Sequence, residues 1–410
     1  MKKMWPIYIF TFFQCYCLEY KGIDMSYCKA LAYASFVLMW GYTVLLKKRN
    51  KKNVSGRRTI NVLHIIALAI TLSILPAYFI EGQSIGISFM TTISYIFVML
   101  MYDIWKRLGV DPYQLEKLIV LGGFVYVGVV ITNIFTFPDM LFGSGELDLE
   151  RGGIRMRSNM LMFGVFSYFY FLNKYLIKGK GAYLLYAFIM FVAVASSFFR
   201  VFILLMLGLG AFMILHNSSL RKRIWILVTL FLLFFIIIPQ TDVYKNLVEV
   251  SKAQKDVSDN SQEDIRIQGN RYFFIESQVG LGSVLLGHGI ASIGHSEYGK
   301  REEARQRESH IYQADAGWGG IFHDYGIIAT LGFAYLLVYG YLRKKGQETR
   351  YLSYFYILNF TAAFAHGVLQ IPIMLYVLVT SFYILDFKPK SYNLYNQGDS
   401  KAINKINKRI

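Results

Sequence analysis

Long apolar runs separated by short polar breaks dominate this sequence, and the runs are too continuous for the one-sided stripe of a soluble helix. A helix needs about 20 residues to cross roughly 30 Å of hydrocarbon. Split at charged or Gly/Pro-rich breaks, the pattern predicts spans at 4–19, 27–46, 60–80, 86–105, 118–137, 158–177, 182–199, 201–217, 224–240, 319–342, 351–369 and 371–387. The expected fold class is therefore all-α, a polytopic membrane protein of about twelve transmembrane helices. One polar interruption is far longer than the rest. It divides the chain into a bundle over 1–240, a large loop over 241–318, a second bundle portion over 319–387 and a tail over 388–410.

The apolar stretch 182–216 is too long for one crossing of ordinary thickness. Basic segments at 174–180 and 221–223 both favour the cytoplasm, so the stretch must cross twice, turning near 196–200 and leaving Arg200 on the outer face. A shorter polar segment, 138–157, contains GELDLERGGIRMR. Within the large loop, 271–289 is apolar enough to lie on the membrane or against the bundle, and 297–308 reads as a charged, solvated helix. The Asn- and Lys-rich tail is expected to be disordered or to lie along the membrane.

Composition agrees with lipid as the solvent: 55% of residues are hydrophobic and the mean hydropathy is +0.39. A formal charge of +17 raises the question of nucleic acid, but its distribution answers it. About 28 Lys and Arg fall in segments placed inside the cell against about 6 acids, whereas the outer segments carry about 15 against about 20. This is positive-inside bias. It places both termini in the cytoplasm and the large loop outside, with lipid headgroups as the partner of the basic runs and no nucleic acid implied. Cys15, Cys17 and Cys28 are too few for a disulfide framework. Residues 1–17 resemble a signal peptide without a small-x-small cleavage site, so an uncleaved short first span is expected.

No Walker A loop, HExxH, CxxC pair or dinucleotide fingerprint occurs, and no cofactor or metal is expected. An ion-coupled transporter would place ionisable groups in the middle of several spans. Here Asp103, His64 and His366 lie near span ends. The unusual feature is an outer collection of Arg200, Arg271, His288, His310, Asp315, His323 and Asp324. Arginine forks suit phosphate, and two or three can hold a pyrophosphate without metal. Arg200 can equally be a snorkelling span-end residue and Arg271 a headgroup anchor. Asp315 stands just above a span rich in small residues, where it can take a proton as general base or cap the helix; His310 can do the same proton chemistry. Trp318 and Tyr312 can stack on sugar rings or serve in the interfacial aromatic belt.

Taken in order, SSFFR at 196–200, NRYFF at 270–274, LLGHGI at 285–290 and DAGWGGIFHDYGIIATLGF at 315–333 resemble the bacterial O-antigen and capsular polysaccharide polymerases, the Wzy-like family, and also the O-antigen ligases. The likeness covers about 182–342 at motif level and the rest only in span count and loop placement. It implies a GT-C-like glycosyltransferase bundle in the inner membrane of a bacterium, polymerising undecaprenyl-pyrophosphate-linked repeat units at the outer leaflet. Arg200 and Arg271 would bind the donor pyrophosphate, with Arg155 and Arg157 as further candidates. Asp315 stands where the ligases carry His followed by Asn, a departure that favours a polymerase and leaves open whether His310 substitutes. Partners implied are the lipid-linked oligosaccharide, a chain-length regulator and a flippase of the same pathway. The rival readings are a ligase, a lipid-linked oligosaccharide flippase or other transporter, and a membrane scaffold.

Overall fold

The computed structural model describes residues 5–11, 20–22, 25–45, 56–148, 153–197, 199–217 and 265–388. The predicted span at 224–240, most of that at 4–19 and the tail beyond 388 lie outside these residues. In chain order the helices are α1 (Trp5–Thr11), α2 (Met25–Leu45), α3 (Arg57–Leu72), α4 (Ile74–Phe79), α5 (Ile85–Leu108), α6 (Pro112–Thr136), α7 (Leu161–Lys178), α8 (Gly181–Ala195) and α9 (Arg200–Asn217). After the undescribed stretch come α10 (Ile265–Arg271), α11 (Leu281–Leu286), α12 (Glu297–Ser309), α13 (Gln313–Ala316), α14 (Trp318–Leu342), α15 (Tyr351–Ala362) and α16 (Pro372–Phe387). The protein is an all-α membrane protein, and among the described residues five helices are long and apolar enough to cross a bilayer: Tyr27–Leu45, Arg57–Phe79, Ile85–Leu108, Pro112–Thr136 and Trp318–Leu342.

Local chemistry sets the ends. The Ser84 hydroxyl accepts from the Ile87 amide at the start of α5, and Gly109 closes that helix in the left-handed conformation behind Lys106 and Arg107. Asp111 caps the Tyr113 amide, with Pro112 in the first turn of α6. The predicted span at 60–80 divides at Ser73, whose hydroxyl bonds back to Ile70 O just before Pro76. At the end of α8 the hydroxyls of Ser196 and Ser197 turn back to Ala193 O and Val194 O, and the helix stops. The polar segment after α6 holds an antiparallel strand pair, β1 (Ser144–Asp148) and β2 (Gly153–Arg157), with Glu146 opposite Arg155 and Leu147 opposite Ile154. Sequence reading gave that segment no secondary structure.

α14 packs against α3 and α15, α16 against α5, α6 and α7, and α7 against α6 and α8. Ion pairs tie one end of this bundle together. Lys388, 1% exposed, meets both oxygens of Glu116 at 2.6 and 2.8 Å, and Tyr351 donates to the same carboxylate. Lys174 pairs with Glu348 at 2.8 Å, and Arg343 and Tyr102 both meet Asp386. The turns at 80–84, 196–199 and 363–371 and the loop helices α10 to α13 stand at the other end, the loop end.

Three helices that reach the loop end are short. α8, α15 and α16 have 15, 12 and 16 residues, or about 22, 18 and 24 Å against roughly 30 Å of hydrocarbon. The predicted span at 351–369 is thereby corrected: its helix stops at Ala362, and 363–371 is a turn sunk into the bundle. Its Gln370 carbonyl accepts from Tyr95, about 15 Å down α5 from Ile85.

Candidate functional site

The helix α14 breaks near its start. At Gly326 the backbone has φ 71 and ψ −175, which leaves the carbonyls above it without their usual partners four residues on. The loop supplies replacements: the His288 amide donates to His323 O at 2.6 Å and the Gly289 amide to Asp324 O at 2.9 Å. Two glycines make the splice possible. A Cβ on Gly326 would lie 2.3 Å from Leu285 O, and one on Gly287, at φ 78, would lie 2.4 Å from the Asp324 backbone. Irregular backbone inside a membrane protein persists only where protein or water satisfies it, and here the loop does so.

The splice carries two buried imidazoles. His288 and His323 stack with ring centroids 4.6 Å apart and 19° between planes. Their rings lie face to face instead of converging on one point, so the pair is not arranged as a metal chelate. His288 Nδ1 is 2.7 Å from Glu81 Oε1 in the α4–α5 turn. His323 Nε2 is 3.2 Å from the Tyr298 hydroxyl and its Nδ1 is 3.1 Å from Ser277 Oγ. Burial, followed by the nearby charge of Glu302, pushes the Tyr298 phenol well above its ordinary range, so it stays protonated. Asp324 accepts from Gln313 Nε2.

The 80–84 turn holds the loop in place. Glu81 also accepts from Arg301 Nη2 at 2.7 Å. Burial alone raises the Glu81 carboxyl, but the hydrogen bonds and charges of His288 and Arg301 outweigh it and hold the group below its ordinary value. Gln83, 1% exposed, uses both ends of its amide. Its oxygen accepts from Ser292 N and Ser296 Oγ, and its nitrogen donates to Ser88 Oγ and Ile290 O. The charged helix α12 is consequently more than a solvated cover. Tyr298 is buried, and Arg305 stacks over Tyr272 and Phe273 at 4.6 and 4.9 Å while pairing with Glu302.

Beside this clamp the sunken turn joins the remaining segments. Trp318 N donates to Ala363 O and Gly367 N donates to Ala314 O, each at 2.6 Å, so the 314–318 strand of chain is stitched to 363–367. From the other side Phe199 meets the His366 ring at 4.5 Å and 89°. The structure thus brings the start of α9 and the Asp315 segment to one buried turn at the loop end.

The sequence candidates fall in different surroundings. Arg200 is half-buried at the first position of α9, and Asp315 is exposed in the single turn of α13. Asp315 is not the cap of α14, because Gly317 occupies that position. His310 ends α12 in the left-handed conformation, exposed, with φ 56. Arg271 is 60% exposed with its Nε 3.1 Å from Glu276, at the junction of α10 with the π-helical turn Tyr272–Glu276. Arg155 and Arg157 stand on β2, opposite Glu146 and Ser144. Glu81, Gln83, Tyr298 and His366 were missed as site residues. EGQ in a five-residue break between spans was a legible signal, since a turn that needs only solubility does not require a carboxylate and an amide so close together.

No family model matches the chain, and no characterised protein matches it.

Proposed function

We propose that this protein is a membrane glycosyltransferase that polymerises undecaprenyl-pyrophosphate-linked oligosaccharide repeat units at the outer leaflet, making an O-antigen, capsule or exopolysaccharide. The observation that carries this reading is the buried turn 363–371 at the loop end, which joins the start of α9 to the Asp315 segment. α8, α15 and α16 are shorter than full bilayer thickness, and in this reading the start of α9 and the Asp315 segment, both joined to the 363–371 turn, lie at the depth of a lipid headgroup. A substrate anchored by a long isoprenoid presents its pyrophosphate at that depth.

In this reading the acceptor sugar's hydroxyl oxygen attacks the anomeric carbon of the donor. The bond from that carbon to the pyrophosphate oxygen breaks, and the hydroxyl proton passes to Asp315. The pyrophosphate departs with the bonding electrons, stabilised by Arg200 and inverting the anomeric centre. Arg271 serves the donor from the loop side, and Arg155, Arg157 and His310 are secondary candidates for substrate contact and proton transfer. The twelve-span topology, the extracytoplasmic loop, cytoplasmic termini and a bacterial inner membrane belong to the same proposal, as do a chain-length regulator and a flippase as partners. Buried charge in the described residues sits towards the two ends of the bundle, Glu116, Asp386 and Lys388 opposite the loop and Glu302 and Asp324 at the loop end. That arrangement favours an enzyme over an ion-coupled transporter.

Deleting the gene in its host tests the reading. The account expects single repeat units to accumulate on lipid with no polymer. Polymer of unchanged length overturns it, and polymer that forms but is not transferred to its final acceptor reassigns the protein as a ligase.

A further inference from the structure

One interval of the loop carries no charge. No Asp, Glu, Lys or Arg occurs between Glu276 and Glu297, and within it Val279 and Leu281, 73 and 74% exposed, turn outward together with Leu285. The other side of α11 packs on α14, α3 and α4. The depth of that contact follows from two helices with a common baseline. A Cβ on Gly56, just before α3, would lie 3.2 Å from Asp386 Oδ2, and Arg343, just after α14, pairs with the same carboxylate. Ser73 is 16 residues along from Arg57, and Gly326 is 16 residues back from Leu342, about 24 Å in each case. The loop meets both levels: a Cβ on Gly289 would lie 2.8 Å from Ser73 O, and Leu285 O presses on Gly326. The end of α11 therefore stands about 6 Å inside a hydrocarbon layer of roughly 30 Å.

Non-helical backbone is tolerated at that depth only where its polar groups find partners. Ser283, fully buried, provides them at the start of α11: its hydroxyl accepts from Val279 N at 3.1 Å and Gly280 N at 3.2 Å and donates to Gly280 O at 2.9 Å. At the other end Gly287 N donates to Ser283 O, and the His288 and Gly289 amides go to α14. We propose that 279–285 is a re-entrant element whose apolar face is seated among the acyl chains of the leaflet on the loop side. Ile328 and Leu331, exposed on α14, continue the same lipid-facing surface. The segment thus has two partners, protein beneath Ser283 and Gly287 and lipid over Val279 and Leu281. This holds whether or not the protein transfers sugars.

Spin-label accessibility tests the placement. In full-length protein lacking its natural cysteines, nitroxide labels at Val279→Cys and Leu281→Cys are compared with labels at Leu331→Cys in α14 and Arg307→Cys on α12. All four replaced side chains are exposed, so labelling leaves the packing intact. The protein is reconstituted in phosphatidylcholine liposomes without isoprenoid lipid, so that ordinary acyl chains are what the labels meet. Oxygen concentrates in hydrocarbon, and a neutral nickel chelate stays in water. The expected result is that oxygen relaxes the labels at 279 and 281 more than the chelate does, as at 331, with the order reversed at 307. Relaxation dominated by the chelate at either position puts the segment in water and overturns the proposal. Shielding from both reagents reveals a protein cover, such as a second copy of this chain, and overturns it equally.

Discussion

Glu81 and His288 meet across 207 positions of sequence, with Oε1 and Nδ1 2.7 Å apart. That contact, with Arg301 on the other carboxylate oxygen and Gln83 two residues on, fixes the loop over the break in α14. Loosening it is expected to expose the loop. Gln83→Ala removes one side chain that satisfies four partners, at a cost of about 1 to 3 kcal/mol for groups left unpaired. In a background lacking the natural cysteines, Ser292→Cys, at a position 8% exposed, should react with a charged thiol reagent about tenfold faster when Gln83→Ala or Glu81→Gln is added. Unchanged labelling contradicts the clamp.

The same clamp has a pH sign. The folded Glu81 carboxyl lies below its ordinary value of 4.5, so its contribution is present above that value and is lost as pH falls through the lower folded one. Thiol labelling at Ser292→Cys with a pH-tolerant reagent should stay slow at neutral pH and through pH 5, rising only in stronger acid. A rise centred near pH 6 would assign the clamp to a histidine.

Gly326 sits in a region of backbone space that is essentially reserved for glycine, pressed against Leu285 O. Gly326→Ala should therefore cost about 1 to 3 kcal/mol from backbone strain alone. Gly282, with open space around its Cβ position, is the control. Thermal unfolding in detergent should show a clear loss for Gly326→Ala and little change for Gly282→Ala; equal midpoints contradict the splice.

These two sites show what sequence reading reaches. Apolar run length located the described helices outside the loop, because the hydrocarbon imposes it directly, but not α10, α11 or α13 within it, and the turn at 196–200 followed from the charge on either side. The break at Gly326 was not legible, because YG inside an apolar run reads as ordinary small-residue packing until a loop amide arrives from 288. His366 was set aside as a span-end residue for a similar reason: hydropathy extends through 363–369, and only the stitches to Ala314 and Trp318 show that the helix has already ended. Long-range backbone pairing leaves no local periodicity to read.

At the opposite end of the bundle, Lys345 offers an independent check. Burial, then the charge of Arg343, pushes its ammonium from 10.5 down to about 8. Between those values the unfolded chain holds a proton that the folded chain has released, so this group makes stability rise with pH across that window. Amine acylation followed by mass spectrometry should show Lys345 half-reactive near pH 8. Reactivity that rises only near pH 10 would contradict its burial.

The central claim is that the segments gathered at the 363–371 turn perform glycosyl transfer between lipid-linked repeat units. Its most direct test is purified protein in liposomes, supplied with one defined undecaprenyl-pyrophosphate-linked repeat and no nucleotide sugar. The account predicts a ladder of polymer from the wild type and none from Arg200→Ala, with both proteins equally folded and inserted. Single repeat units left unchanged by folded wild type, or the same ladder from Arg200→Ala, would contradict it.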